Sequence, residues 1–338
     1  MMDVAWPLIA APASFVVAAV VTRVMTPRLI EAATRLGIVD RPDGQLKTQR
    51  QPVPYLGGVA VALGVLVALG VTYRFDQQAL ALLLGGSIVL VLGLIDDLGS
   101  ISPWSKLAGQ LLAVAVLIRA GVSLQLVFLP PWVSIPLTVL WMLAATNAFN
   151  LIDIMDGLSS GVGAVAATFL AGIALYGGQV APACVAASLA GALLGFRHFN
   201  VEPARIYLGD TGSLFAGFLL GALAFVNHYT GVHRIGALAP LLILGVPLFD
   251  MLFVMYIRWR RGMSVMLGSP DHVALRLRRW RLSTRATVRA NVGVAVLLGA
   301  SGVAVMLLPV VWSVALIGLL LIVALLVTAW LKTIDMGL

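Results

Sequence analysis

The 338-residue chain is 61% hydrophobic and 11% charged, with a mean hydropathy of +1.03. Soluble domains carry about 25% charged residues, so a large water-soluble domain is excluded and the chain reads as an integral membrane protein. A single cysteine, Cys184, sits in an apolar run and excludes disulfides and a cysteine-based metal site, while the net charge of +8 points to nucleic acid or anionic lipid.

About 20 apolar residues cross a bilayer, so the length allows an all-α bundle of about eleven transmembrane helices in one polytopic domain, 1–338. The first predicted span, 4–25, follows no basic n-region and is read as retained. The loop 26–54 carries Lys47 and Arg50 and leads to Pro54-Tyr-Leu-Gly57-Gly58; its cations can supply charge to a diphosphate. Spans follow at 55–73 and 79–97, the second ending in Asp96-Asp97, then 105–121, bracketed by Lys106 and Arg119. The adjacent aspartates point about 100° apart and oppose the helix dipole at its C-terminus, which favours a functional use over a structural one.

Span 132–149 runs into Asn147-Ala-Phe-Asn150-Leu-Ile-Asp153-Ile-Met-Asp156-Gly157. Asp153 and Asp156 are three apart, as are Asn147 and Asn150, so they share a row if helical. Spans 158–177 and 180–197 form a tight hairpin, and the loop 198–210 ends in Tyr207-Leu-Gly-Asp210-Thr-Gly-Ser213 ahead of span 211–229. Its small residues at a helix start suit a phosphate, and Asp210 suits a metal better than a mere cap, given the other acids. Span 236–257 precedes the basic loop 258–286, with Asp271, His272 and Arg276, and spans 287–308 and 310–331 close the chain. His198, His228 and His233 read as ordinary loop residues. The arginines of the last loop fit lipid headgroups, or one or two of them a phosphate.

Placing 26–54 in the cytoplasm assigns 19 of the 22 Lys and Arg residues to cytoplasmic segments or the adjoining span ends. The N-terminus is then outside and the C-terminus cytoplasmic, and the basic balance belongs to the membrane surface rather than to nucleic acid. No acidic residue entered that assignment. Even so, the loops 26–54, 96–104, 150–157, 198–210 and 258–286, with every candidate acid, fall on the cytoplasmic face. Carboxylates near lipid are costly, and clustered carboxylates most often hold a metal that handles phosphates.

In order along residues 35–285, these motifs resemble the polyprenyl-phosphate N-acetylhexosamine-1-phosphate transferases, a family that includes the phospho-MurNAc-pentapeptide transferase. The resemblance implies a bacterial cytoplasmic-membrane enzyme that uses magnesium, or manganese in its place. It would move N-acetylhexosamine-1-phosphate, GlcNAc by default, from a UDP-sugar to polyprenyl (undecaprenyl) phosphate, releasing UMP and starting a cell-envelope glycan. By position it implies that Asp210 ligates the metal, with Asp153 beside it. Asp96 and Asp97 would serve the lipid phosphate and orient the metal, and Asn150 and Asp153 the ribose and diphosphate. Asp156, Asn200 and Tyr207 would form the uridine pocket, with Lys47 or Arg50 on the diphosphate. His272 aligns with the first of a histidine cluster, whose other places read Val273-Ala274-Leu275, and Arg276 is expected to take over part of the diphosphate contact. The sugar, the pathway and the oligomeric state, homodimer included, stay open. A membrane prenyltransferase is disfavoured by the aspartate spacing, and an ion-coupled transporter by acids lying at one face without a repeat.

Overall fold

The computed structural model describes residues 2–40, 52–73, 76–124, 130–264 and 270–336. Thirteen α-helices and one two-residue strand pair make up its regular structure, apart from a short 3₁₀ turn at Arg234–Leu238. The chain divides into two compact units, Met1–Asn227 and His228–Leu338.

In the first unit, helix α1 (Met2–Leu36) spans about 52 Å at 1.5 Å per residue. The sequence predicted an end near residue 25. The helix continues through Pro27, because a proline removes one hydrogen bond without removing the turns around it. It stops at Gly37, whose φ of +72° is the left-handed geometry of a helix C-terminus. Strands β1 (Val39–Asp40) and β2 (Val53–Pro54) then pair antiparallel, Val39 opposite Pro54, inside the predicted 26–54 loop. Lys47 and Arg50 lie outside the described residues.

Helices α2 (Gly57–Thr72), α3 (Gln77–Leu98), α4 (Pro103–Arg119) and α5 (Pro131–Leu151) follow, then α6 (Leu158–Tyr176), α7 (Val180–Asn200) and α8 (Gly209–Val226). The last three are the buried centre of the unit. Helix α1 lies along α7 and α2, while α8 packs on α3 and α5. Two crossings require glycine. A Cβ on Gly58 would lie 2.2 Å from the backbone nitrogen of Gly212, and one on Gly93 would lie 2.4 Å from the carbonyl oxygen of Asp210. Backbone therefore meets backbone where α2 and α3 reach the start of α8.

The second unit begins with a broken segment: the 3₁₀ turn, α9 (Ala239–Ile243) and α10 (Gly245–Arg260), bent by 74° between its two arms. A single straight span over 236–257 was predicted. Pro247 has no N–H to bond back across the break at Leu244, which accounts for the bend. Helix α11 (Val273–Arg279) adds about two turns inside the predicted 258–286 loop, and α12 (Thr284–Leu307) and α13 (Val310–Lys332) complete the unit. Phe253 and Ile257 of α10 meet Leu331 and Ile334 in a small apolar core.

Every predicted span coincides with helix. Among the described residues eight helices are long and apolar enough to cross a bilayer, nine if the bent pair counts as one span. The two shortfalls are α2, with 16 residues, and α4, with 17 and a lysine. The protein is a multi-pass α-helical membrane protein.

The Gly58 crossing yields a stability prediction. Gly58→Ala must separate two backbones and should cost about 1–3 kcal/mol. Gly318→Ala in α13, where a Cβ meets nothing within 4 Å, should be neutral or better. Thermal unfolding in detergent should show a lowered midpoint for the first variant alone.

Candidate active site

Four helix ends in the first unit converge through their side chains. Asp96 is in the last turn of α3, Lys106 in the first turn of α4, Asn150 at the end of α5 and Asp210 at the start of α8. The Lys106 ammonium is 2.9 Å from Asp96 Oδ2, 3.3 Å from Asn150 Oδ1, and also in contact with Asp210 Oδ2. Asn150 turns its amide nitrogen to Asp210 Oδ1 at 2.8 Å and to Ser213 Oγ at 2.9 Å. One turn deeper, Gln110 and Asn147 exchange two amide hydrogen bonds, at 3.1 and 2.7 Å, and hold α4 against α5.

Lys106 and Gln110 were not singled out from the sequence as site residues. The signal was there: a lysine and a glutamine four apart, hence on one face, in an otherwise apolar helix.

Asp97, adjacent to Asp96 but turned away from it, does different work. Its Oδ1 accepts from Asp210 N–H at 2.8 Å, and its Oδ2 from Thr211 N–H at 3.0 Å and the Thr211 hydroxyl at 2.6 Å. Helix α8 has no side-chain cap of its own, so Asp97 caps it from α3. The N–H groups that the sequence offered to a phosphate are, at these two positions, given to a carboxylate.

The loop between α5 and α6 is fixed by buried Asn200. Its amide oxygen accepts from Gly157 N–H and Ser160 Oγ, both at 3.0 Å, and its nitrogen donates to the Ile206 carbonyl at 3.1 Å. Arg197 also binds the Gly157 carbonyl, and Gly157 itself has a φ of +76°. Asp156 accepts from Ala204 N–H at 2.9 Å. Asn200 therefore ties the α5–α6 loop and the start of α6 to the segment before α8, with its polar atoms already engaged.

Asp153 is hydrogen-bonded by the Ser159 hydroxyl and does not touch Lys106. Withdrawal from water, then the nearby charges of Asp210, Asp97 and Asp156, push its carboxyl up to about 7.

Tyr207 N–H donates to the Pro54 carbonyl at 2.8 Å, and Gly57 and Gly58 donate to the Tyr207 and Leu208 carbonyls at 3.1 and 2.9 Å. The Pro-x-x-Gly-Gly segment thus docks on the strand entering α8. The Tyr207 ring stands 6.3 Å from that of Tyr55, whose hydroxyl donates to Asp40 at 2.7 Å. Burial, with Asp156 and Asp40 nearby, raises the Tyr207 phenol to about 12, so it is neutral at ordinary pH.

No group of three or more His, Cys, Asp or Glu side chains that could hold a metal occurs among the described residues. The oxygens of Asp96, Asn150 and Asp210 nevertheless converge on one cation, the lysine ammonium. That hard-oxygen set fits magnesium, which takes one or two carboxylates and completes its shell with water and substrate phosphate. Asp153, expected as a ligand with Asp210, stands apart from this convergence.

In the second unit His272 precedes α11. Its Nδ1 is 2.6 Å from Asp250 Oδ2, and Asp250 Oδ1 accepts from Val273 N–H at 2.7 Å. Asp250 was overlooked in the sequence, although a carboxylate in the middle of an apolar span is itself a signal. Arg276 corrects an expectation. It is 2% exposed, bonds Asp271 at 2.5 Å, and donates through Nη1 to the Leu331 and Ile334 carbonyls at 2.9 Å each. Its fork is committed to the end of α13 and is not free to grip a diphosphate.

Residues 79–228, from α3 through α8, match the family model described as glycosyl transferase family 4. Over 284 residues the chain is 31% identical to the Bacillus subtilis protein named "Probable undecaprenyl-phosphate N-acetylglucosaminyl 1-phosphate transferase", covering 81% of this chain and 79% of that one. It is also 31% identical over 296 residues to the decaprenyl-phosphate N-acetylglucosaminephosphotransferase of Mycobacterium tuberculosis, covering 76% and 72%. A phospho-N-acetylmuramoyl-pentapeptide-transferase of Heliobacterium modesticaldum is 35% identical over 239 residues, covering 64% and 74%. The chain belongs to glycosyl transferase family 4, among the polyprenyl-phosphate N-acetylhexosamine-1-phosphate transferases.

Proposed function

We propose that the protein transfers N-acetylglucosamine-1-phosphate from UDP-GlcNAc to a polyprenyl phosphate, making a lipid-linked sugar diphosphate and UMP. One observation carries the reading: Asp96, Asn150 and Asp210 gather their oxygens around a single cation where four helix ends meet. Relatives named for this activity on undecaprenyl and decaprenyl phosphate support it.

The reaction needs little covalent help from the protein. An oxygen of the lipid phosphate attacks the sugar-bearing phosphorus, the bond to the bridging oxygen breaks, and UMP leaves with that oxygen and its electron pair. Phosphoryl transfer of this kind depends on positioning and charge neutralisation. Magnesium would supply that neutralisation, held by Asp210 and Asp96 with the Asn150 carbonyl. Lys106 keeps the two carboxylates together, and Asp97 fixes the start of α8 and so the place of Asp210. Asp153, poised near neutrality, is suited to hold or release a proton beside the diphosphate. Tyr207 offers its ring to uracil from a pocket walled by Asp156 and Asn200. Lys47 or Arg50 would serve the diphosphate, as the motif match implies, and within the second unit Asp250 fixes the orientation of His272.

The positive-inside assignment supports an eleven-span topology with the site at the cytoplasmic face of a bacterial inner membrane. There the acceptor's head meets a water-soluble nucleotide sugar while its tail stays in lipid. The histidine-poor last loop favours UDP-GlcNAc over UDP-MurNAc-pentapeptide, and UMP release measured across a nucleotide-sugar panel decides between them.

Three outcomes test this. Asp210→Asn should fold normally and lose roughly a thousandfold or more of magnesium-dependent UMP release; turnover near wild type at matched expression excludes Asp210 as ligand.

The second concerns pH. A carboxyl raised from 3.8 to about 7 on folding stabilises the fold most below pH 4, and that contribution is lost as pH rises through 7. The metal-free wild type should therefore lose more thermal stability between pH 5 and 8 than Asp153→Asn. Parallel curves for the two proteins place the carboxyl elsewhere.

For the topology, Ile101→Cys and Asn200→Cys in a Cys184→Ala background should react with a membrane-impermeant thiol reagent from the cytoplasmic side, and Gly231→Cys from the outside. Labelling of 101 and 231 from one side overturns the span count.

A further inference from the structure

In the second unit, the C-terminal ends of α10 and α13 enclose a cavity of about 340 Å³. Its walls carry Arg260, Arg261 and Lys332, all exposed, with Ile257 and Asp335, and buried Arg276 also lines it. Four cations therefore face one carboxylate. Helix C-termini attract cations, and that accounts for Arg260 and Lys332 singly, since each sits in the last turn of its own helix.

It does not account for Arg276. Nη1 and Nη2 of this side chain are hydrogen-bonded, but its buried Nε has no partner. A buried guanidinium N–H without an acceptor is expensive, and its residue lines a cavity that is already positive. Arg261 spends one nitrogen on Asp271 at 3.0 Å, and Lys332 rests on the Tyr256 hydroxyl at 3.2 Å. Both keep further donors for a ligand.

Tryptophans mark the depth of the cavity. Trp259 precedes Arg260 and is 70% exposed, Trp330 is two residues before Lys332, and Trp280 packs edge-on against Trp330 at 5.0 Å. Exposed indoles of this kind collect at the headgroup level of a bilayer.

We propose that this cavity is a phosphate-binding site, built for the headgroup of an anionic phospholipid or for a free phosphate of the same chemistry. It is separate from the transfer reaction proposed above. Arg260, Arg261 and Lys332 at the rim engage the phosphate oxygens, and buried Arg276 adds its charge behind them.

The test uses the full chain purified in neutral detergent, as wild type and as the Arg260→Gln/Lys332→Gln double variant. Native mass spectrometry with phosphatidylglycerol and phosphatidylcholine should show wild type retaining one phosphatidylglycerol per chain, and the variant retaining it roughly tenfold less, as expected when charged hydrogen bonds are lost. Inorganic phosphate forms the second arm. If it raises the melting temperature of wild type and not of the variant, while phosphatidylglycerol is held equally by both, the ligand is a free phosphate. Equal behaviour of the two proteins toward both probes overturns the proposal. So does a raised KM for UDP-GlcNAc in the variant, which would make the cavity part of the nucleotide-sugar site. Should the double variant fail to fold, Lys332→Gln alone, on an exposed side chain, reads out the same comparison.

Discussion

The first unit depends on how two carboxylates are kept at the ends of apolar helices. Asp96 and Asp210 come from segments more than a hundred residues apart, and each would be unfavourable alone in so apolar a chain. The Lys106 ammonium between them removes that repulsion, and Asn150 ties the same carboxylate to α5. The Lys106 and Asp96 side chains are 18% and 17% exposed, so the pair is largely withdrawn from water. Removing one partner of a buried pair costs about 3–5 kcal/mol, because the other is left uncompensated. The ends of α3, α4, α5 and α8 are thus tied to one another by this polar cluster. Gly58 and Gly93 make this possible by letting backbones meet at the start of α8, where any side chain would hold the helices apart.

Much of this was legible in the sequence, and the physical reasons divide cleanly. Apolar runs located the long helices and missed α11, because exclusion from lipid acts on each apolar segment locally and α11 is mostly basic. The breaks were less visible: a straight 236–257 span hid the bend at Leu244, and the loop after residue 25 hid eleven further residues of α1. Both depend on how neighbours satisfy a proline's missing bond, which no local pattern records. The acids at span ends were legible because charge in such a chain is rare. Their partition was not. Asp96 and Asp97 are indistinguishable as letters, yet one faces a cation and the other caps a helix, as the 100° turn between neighbours requires. Asp250 was passed over because it stood alone inside a span, and Lys106 because its one companion, Gln110, makes a weaker pattern than the repeated spacing of Asn147 through Asp156.

Arg276 shows a different limit. Its place four residues after His272 matched a ligand role, and its chemistry suited a diphosphate. Burial decides otherwise, since a guanidinium that joins Asp271 to two carbonyls at the end of α13 is part of the framework. With valine, alanine and leucine following His272, the last loop has fewer polar groups for a sugar than a histidine-rich one.

Asn200, expected among the uridine-pocket residues, spends its side chain on the protein itself. Asn200 makes three hydrogen bonds, and all of them hold backbone or side chains of the two loops that carry Asp153, Asp156 and Tyr207. A site built from loops would be imprecise if those loops could move separately. Tying both to the end of α7 transfers the rigidity of a buried helix to the loops that carry them. The same logic holds at α8, where Asp97 spends its entire carboxylate on the first turn. A carboxylate that could have faced a ligand is used instead to fix Asp210 at the start of α8.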